Sequence, residues 1–388
     1  MTSIELRHLT TDGPAGRPLL DDITLTVPDG STLAITGPAG AGKSLLLRTI
    51  VGLDEQTSGD IVMDDIVVNG VDSRGRDVAM VFQDHALHPH LDVFDNLAFS
   101  ATLRRGYDKV ALSERIDEVG ELLALTDLMD AKPSVLDEPQ RQRVAMGRSL
   151  VRDAGVYLFD SPFSAQSERV RTHVRSVTTQ WQVERERTSI FTTNSVEEAL
   201  STADRVAVMH QGFIHQVGTP RDLYERPADM FVAAYLGSPP MNLVPAVPSG
   251  QQLVMPLMTM LLDDDLLERI GDRSIVMAGI RPEHCYDATS EGGAAVTDRV
   301  EFTTRIDDVE WRGSSQFAYL GYEIEPETEA MMGEVEDLLE FDLFQSFLVA
   351  RLPAESPLRA GMSIRVVIPR QRVHVFDPET GENLTLPR

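Results

Sequence analysis

The sequence predicts an α/β chain in two parts. Residues 1–237 read as a mostly parallel sheet with an inserted helical lobe, and residues 238–388 as a smaller β-rich, barrel-like domain. Three observations predict it. Short apolar strands alternate with turns up to residue 88, and strands alternate with helices again from residue 156. A glycine-rich loop, GPAGAGKS, sits between a strand and a helical run. Pro/Gly punctuation, LGSPPMN at 236–242, precedes a set of short β-like runs.

The elements follow in order. SIELRHL, DDITLTV, TLAITG, IVMDDIVV and VAMVFQ are runs of β-formers between turn residues. From about 89 to 153 the apolar spacing turns helical, as in KVALSERIDEVGELLAL and QRQRVAMGRSLVR, and this block is the inserted subdomain. The strand VYLFD comes next, then a helix over roughly 167–186, SIFTT, a helix from Ser195, RVAVMH and FIHQVG. The last part contains SIVMAGI, EFTTRIDDVEW, SIRVVIP and RVHVF. Residues 323–342 carry nine acids and no base, and read as a solvated face or flexible insert.

Composition narrows the partners. The 388 residues include 35 basic and 61 acidic side chains, a net charge of −26, which argues against nucleic acid or anionic lipid as the main partner. A single cysteine, Cys285, rules out an internal disulfide and fits a reducing compartment. The opening MTSIELRHLT has neither the basic nor the apolar region of a leader, and no apolar run approaches a membrane span. Only Lys43, Lys109 and Lys132 are lysines among the bases, so a lysine here marks a place where arginine would not serve.

GPAGAGKS carries the chemistry. Gly37, Pro38, Ala39, Gly40, Ala41, Gly42, Lys43 and Ser44 fit the pattern of a glycine-rich phosphate loop that opens a helix. Backbone N–H groups and the helix N-terminus would wrap a β-phosphate; Lys43 would reach the β/γ-phosphates, and the Ser44 hydroxyl would ligate magnesium. Chance yields this pattern about once in a hundred chains of such length, before the strand–loop–helix context is counted. VYLFD reads as a buried parallel strand delivering Asp160 at its carboxyl end, as a second magnesium handle. The cofactors expected are therefore ATP and Mg²⁺.

Longer stretches carry a resemblance. VFQDHALHPHLDVFDNLAF, QRQRVAMGRSLV and ADRVAVMHQGFIHQVGTPRDLYERPADMFVAAYLGSPPMN resemble the ATP-binding subunits of ABC transporters, in the maltose-type carbohydrate importer subgroup. AGIRPEH (278–284) and HVFDPETG (374–381) extend the likeness into what the family carries as an OB-like regulatory domain. The resemblance implies a P-loop ABC-type nucleotide-binding domain, Gln83 as the glutamine of its glutamine loop and a further magnesium contact, and a dimeric assembly on two membrane-spanning permease subunits. His85, His88 and His90 could suggest a metal cluster, but the family's aromatic, aromatic and histidine at these positions favour loop or interface packing.

Several family positions are changed. The catalytic glutamate after Asp160 is Ser161, which cannot take a proton from water near neutral pH, and the switch histidine is Asn194, which carries no charge and relays no proton. The adenine-stacking aromatic expected near residues 11–17 is absent from TDGPAGR, and the loop expected as Ser-x-Leu-Asp reads Ser164-Ala165-Gln166-Ser167. The signature Leu-Ser-Gly-Gly-Gln becomes Leu136-Asp137-Glu138-Pro139-Gln140. Asp137 and Gln140 make a capping box, and Pro139 is tolerated in a first turn but offers no N–H. A carboxylate about 5 Å from a phosphate charge costs roughly 3 kcal/mol at an effective dielectric near 20.

The combined reading is a nucleotide-binding importer subunit for sugars or related polar solutes, able to bind ATP but impaired in hydrolysis. It would lie peripherally on the cytoplasmic face of the membrane, paired with a more complete ATP-binding subunit rather than with itself, and would meet a solute-binding protein only indirectly. The permeases' coupling helices would dock near residues 83–99. Two alternatives stand beside it: an active homodimeric transport ATPase using Gln83 or Asp160 alone, and a non-transport regulator that reports ATP through the C-terminal domain.

Overall fold

The computed structural model describes residues 2–82, 86–102, 108–152, 154–162, 176, 180, 185–339 and 344–387. They fall into two compact units, Met1–Pro220 and Arg221–Arg388.

The strands of the first unit are β1 (Ile4–Asp12), β2 (Pro18–Val27), β3 (Thr32–Thr36), β4 (Ser58–Met63), β5 (Ile66–Val67), β6 (Val78–Val81), β7 (Val156–Asp160), β8 (Thr188–Thr193), β9 (Arg205–His210) and β10 (Phe213–Gly218). Its helices are α1 (Lys43–Val51), α2 (Val93–Thr102), α3 (Lys109–Leu122), α4 (Glu138–Val151) and α5 (Val196–Thr202). One sheet runs β10-β9-β3-β8-β7-β6 and is parallel except for β10; the other, β2-β1-β4-β5, is antiparallel. β3, β7 and β8 are buried along their whole length, as the apolar run VYLFD implies for a central parallel strand. Leu33, Ile35, Leu46, Ile50, Leu158 and Ile190 share one core that fixes α1 beneath the sheet.

Helices α2, α3 and α4 form the helical block expected between the strands. Gly147 of α4 permits their close approach, since a Cβ there would lie 2.6 Å from Leu97 Cδ2 of α2. The expected helix over 167–186 falls largely outside the described residues. IVMDDIVV, expected as one strand, is a hairpin in which Met63 pairs with Ile66. Asp64 and Asp65 both take positive φ, 47° and 64°, the conformation of a turn that matches strand twist, and aspartate tolerates it better than most residues.

The second unit contains β11 (Asn242–Ser249), β12 (Gln252–Val254), β13 (Thr259–Leu261), β14 (Val276–Ile280), β15 (Tyr286–Asp287), β16 (Arg299–Arg305), β17 (Asp308–Arg312), β18 (Ser315–Gly321), β19 (Phe347–Pro353), β20 (Ser363–Pro369) and β21 (Val373–Phe376). They pair antiparallel in sheets ordered β13-β12-β11-β14-β21, β15-β20-β16 and β17-β18-β19. Val244, Ala278, Phe302, Leu320, Leu348 and Val366 meet in one core drawn from all three sheets. This is the β-rich, OB-like domain the short runs predict.

Two features of this unit differ from the sequence expectation. The run LGSPPMN lies within the unit, and helix α6 (Met230–Tyr235) before it shares a cluster with Met241 of the run and with strand residues Met277 and Phe376, through Met230, Ala233 and Ala234. The acidic stretch is also ordered in part as a helix, α7 (Pro326–Leu339), and its Met332 is buried in that same cluster. The helix mixes acids with apolar residues, PETEAMMGEVEDLL, and its buried Met332 is a contact that the charge count alone conceals.

Candidate nucleotide site

The parallel register gathers the expected site residues at one sheet end. Thr36 of β3 lies opposite Thr193 of β8, and Asp160 of β7 lies opposite Thr192 of β8. The loops leaving these strands therefore emerge together, where ligands bind in open α/β sheets. A cleft of about 360 Å³ lies there, lined by residues 39–45 with Ser161 and Asn194.

Each part of the loop has a local cause. Gly37 is required by crowding, since a Cβ would sit 1.9 Å from the Met209 carbonyl oxygen. Gly42 takes φ 100° at the N-cap of α1, a conformation that disfavours any side chain. Between them the Ala41 N–H donates to the Pro38 carbonyl at 3.3 Å, and the Ala41 carbonyl accepts from the Gly212 N–H at 3.1 Å. Ala39 and Gly40 form the lip of the cleft, and Gly40 takes φ 83°.

Lys43 is buried, and its ammonium donates to the carbonyls of Gly37 at 2.8 Å and Pro38 at 2.7 Å. Burial pushes it down to about 8, while Asp160 acts in the opposite direction. Ser44 Oγ donates to Asp160 Oδ1 at 2.9 Å. The sequence reading missed Thr192, whose hydroxyl donates to the same Asp160 oxygen at 2.7 Å and accepts the Ser161 N–H at 3.0 Å. Gln142 of α4 also donates to the Ser161 carbonyl at 3.2 Å. Ser161 is thus held from both sides, at φ 51°, and its hydroxyl is no general base near neutral pH. Asn194 is exposed, just before the α5 N-cap Ser195.

Asp137 is the N-cap of α4 and forms the full capping box with Gln140, and Pro139 lies in the first turn. Glu138 pairs with Arg141 at 2.8 Å, and Arg141 also donates to the Leu136 carbonyl at 2.7 Å. Gln83, His85 and Ser164-Ala165-Gln166-Ser167 lie outside the described residues. His88 packs its ring on Phe99, with centroids 4.0 Å apart, and no group of metal-ligating side chains occurs among the described residues.

A family profile described as ABC transporter matches residues 20–164, and one described as MalK OB fold domain matches residues 237–285. The trehalose import ATP-binding protein SugC of Mycobacterium tuberculosis is 36% identical over 391 residues, covering 100% of this chain and 99% of that protein. The chain is an ABC importer ATP-binding subunit of the maltose-type subgroup. Other such subunits are similar along most of their length. The sn-glycerol-3-phosphate import ATP-binding protein UgpC of Cupriavidus metallidurans is 33% identical, covering 99% of each chain. The xylose/arabinose import ATP-binding protein XacJ of Haloferax volcanii is 35% identical, covering 93% of this chain and 90% of that one. Among solved structures, a dimeric bacterial ABC transporter cassette superposes with TM-score 0.53 at 25% identity, over 56% of this chain and 99% of that one. The importer-subunit fold thus spans both units, and no helix among the described residues is long and apolar enough to cross a membrane.

Proposed function

We propose that this chain is the nucleotide-binding, hydrolysis-impaired ATPase subunit of an importer for sugars or related polar solutes. One observation carries the reading: Lys43 is held on the loop carbonyls and Ser44 on Asp160, while Ser161 and Asn194 line the cleft in place of a base and a charged switch. The cradle suits Mg-ATP. Ser44 and Asp160 already bring a hydroxyl and a carboxylate oxygen together, the hard donors that magnesium takes alongside phosphates and water. These residues would hold the ion, which when bound neutralises phosphate charge. Lys43 binds the β/γ-phosphates, and Thr192 holds Asp160 in place.

The subunit works peripherally at the cytoplasmic face, on two permease subunits. Its partner is a second ATP-binding subunit with intact catalytic positions, because Ser161 and Asn194 leave this chain's own cleft without a base and a charged switch. A solute-binding protein acts on the assembly only through the permeases. The similarity to SugC, UgpC and XacJ, ATP-binding proteins for import of trehalose, sn-glycerol-3-phosphate and xylose/arabinose, supports this solute class.

Mg-ATP titration and phosphate release on the purified chain test the reading. Saturable binding with turnover far below about 1 s⁻¹ is expected. Ordinary turnover by the chain alone would refute the impairment. Recovery of the chain without permease subunits from cells expressing the whole operon would refute the transport assignment.

A further inference from the structure

The second unit holds a cleft of about 350 Å³ that plays no part in the nucleotide chemistry. One wall is the segment Ser238–Leu243, which follows α6; the other is the outer face of the β17-β18-β19 sheet. Ala318, Leu320, Leu348 and Ala350 occupy the core face of that sheet. Strand alternation therefore turns Tyr319, Phe347 and Val349 the other way, into the cleft. The volume lies at the low end of small-molecule sites, about 300–1,000 Å³.

The walls divide the chemistry. Pro240, Leu243, Phe347 and Val349 are apolar, and the Tyr319 and Phe347 rings meet edge-on at 5.3 Å and 68°. Arg312, Tyr319 and Gln345 supply polar groups on the same lining. Arg312 donates to Glu310 Oε2 at 2.7 Å, and the Tyr319 hydroxyl donates to the same oxygen at 3.0 Å. Glu310 thus offsets part of the charge of Arg312, and the pair stays about half-exposed. The remaining guanidinium N–H groups have no acceptor among the described residues.

We propose that this cleft binds a neutral polyhydroxylated molecule, a mono- or disaccharide. An anion brought to Arg312 would also meet the Glu310 carboxylate beside it, which repels it. A wholly apolar ligand would bury the free donors of Arg312 and the Gln345 amide without partners. Hydroxyl groups both donate and accept, so they match arginine, tyrosine and glutamine together. The C–H face of a sugar ring covers the apolar wall at the same time. An occupant also touches Ser238–Leu243, so binding rigidifies the stretch that joins α6 to β11. Equating the occupant with the carried solute rests on the importer reading; the cleft itself does not.

The test is calorimetry and ligand-observed NMR on the full chain with glucose, maltose, trehalose, glycerol 3-phosphate and benzoate as probes. Binding of at least one of the sugars with a Kd below about 10 mM is expected, weakened about tenfold or more by Arg312→Ala and by Phe347→Ala. Tyr319→Phe keeps the packing and should still weaken it about threefold, so a folding defect in the larger truncations leaves a readout. Lys43→Ala should leave sugar binding unchanged. Absence of sugar binding overturns the proposal, as does binding of the anionic probes alone, or sugar affinity untouched by Arg312→Ala and Tyr319→Phe. Sugar binding lost in these variants establishes the cleft even where no permease co-purifies; a verified importer subunit that binds no sugar removes the cleft alone.

Discussion

Asp137 and Gln140 close on each other at the start of α4: Asp137 Oδ1 accepts the Gln140 N–H at 2.8 Å, and Gln140 Oε1 accepts the Asp137 N–H at 2.9 Å. Donors that a bound phosphate would need are therefore spent inside the chain, and Pro139 withdraws another. The box stabilises the helix start at the position where the importer reading would put an anion site.

That relationship has a direct thermodynamic test. Asp137→Ala should destabilise the chain by about 1 kcal/mol, the usual worth of an N-cap, while Asp137→Ser should be close to neutral. Urea unfolding of the two variants measures it. Equal losses for both would mean that the cap contributes nothing and that the carboxylate itself matters.

Lys43 makes nucleotide binding depend on pH. Burial holds its ammonium down at about 8 in the free chain. Phosphates nearby restore the charged form, so binding above that pH takes up a proton, and affinity should fall as pH rises through about 8. The sign for folding is opposite: between the depressed value and the ordinary lysine range the unfolded chain binds more protons, so stability rises with pH there. Calorimetry in buffers of different ionisation enthalpy detects the proton. Lys43→Ala should abolish nucleotide binding yet leave assembly with permeases intact, because the docking region proposed near residues 83–99 is separate from the phosphate loop. A folded variant that fails to assemble would show the two roles to be inseparable.

Arg281 should dominate the stability of the second unit. Fully buried, it donates to the carbonyls of Ala233, at 3.0 Å, of Leu236, and of Tyr224, at 3.0 Å, and lies 3.9 Å over the Tyr224 ring. Arg281→Met preserves bulk but strands these carbonyls, at a cost of about 3 kcal/mol or more. Denaturant midpoints read it, and a loss below about 1 kcal/mol would mean that α6 is held by its apolar contacts alone.

His374 should make the same unit acid-labile. Burial, with Arg281, His284 and Arg372 near it, pushes it down to about 4. The unfolded histidine takes its proton first, so stability is full above the ordinary value and falls as pH drops toward about 4, by up to about 1.4 kcal/mol per pH unit. His374→Gln should flatten that slope; an unchanged slope would assign the acid lability to other groups.

The nucleotide cradle was legible because its motif is local: GPAGAGKS carries loop, lysine and hydroxyl within one stretch, and VYLFD announces Asp160 by its apolar run. Thr192 was not. A Thr-Thr strand end is ordinary, and only the register of β7 on β8 brings its hydroxyl to Asp160. The Arg281 clamp was hidden for the same reason, since its acceptors lie far back in the chain and belong to the segment that sequence punctuation assigned to the first domain. The aspartate pair at 64–65 was read through as strand because β-formers flank it, although its two positive φ values make a hairpin.

The last prediction concerns repair. Ser161→Glu with Asn194→His rebuilds a base and a charged switch in the cleft where both residues already sit. In a homodimer this pair of changes should remain weakly active, because each ATP would still face Asp137, Glu138 and Pro139 of the other copy. Glu138 is held beside Arg141 and Asp137 is locked on Gln140, so neither carboxylate can be replaced by phosphate without breaking these contacts. Asp137→Ser, Glu138→Gly and Pro139→Gly remove the repulsion and return N–H donors, but alone leave no base to activate water. The combined variant should therefore exceed the product of the separate gains, because water activation counts only after the ATP sandwich closes. With a native partner, the signature changes alone should raise the rate, since in the proposed pairing this chain would supply the signature for the partner's ATP. Steady-state ATPase rates of the separate and combined variants, alone and with the partner, decide it. Full activity in a homodimer from Ser161→Glu and Asn194→His alone would mean that the capped α4 start still grips phosphate, and the account of the signature would fall.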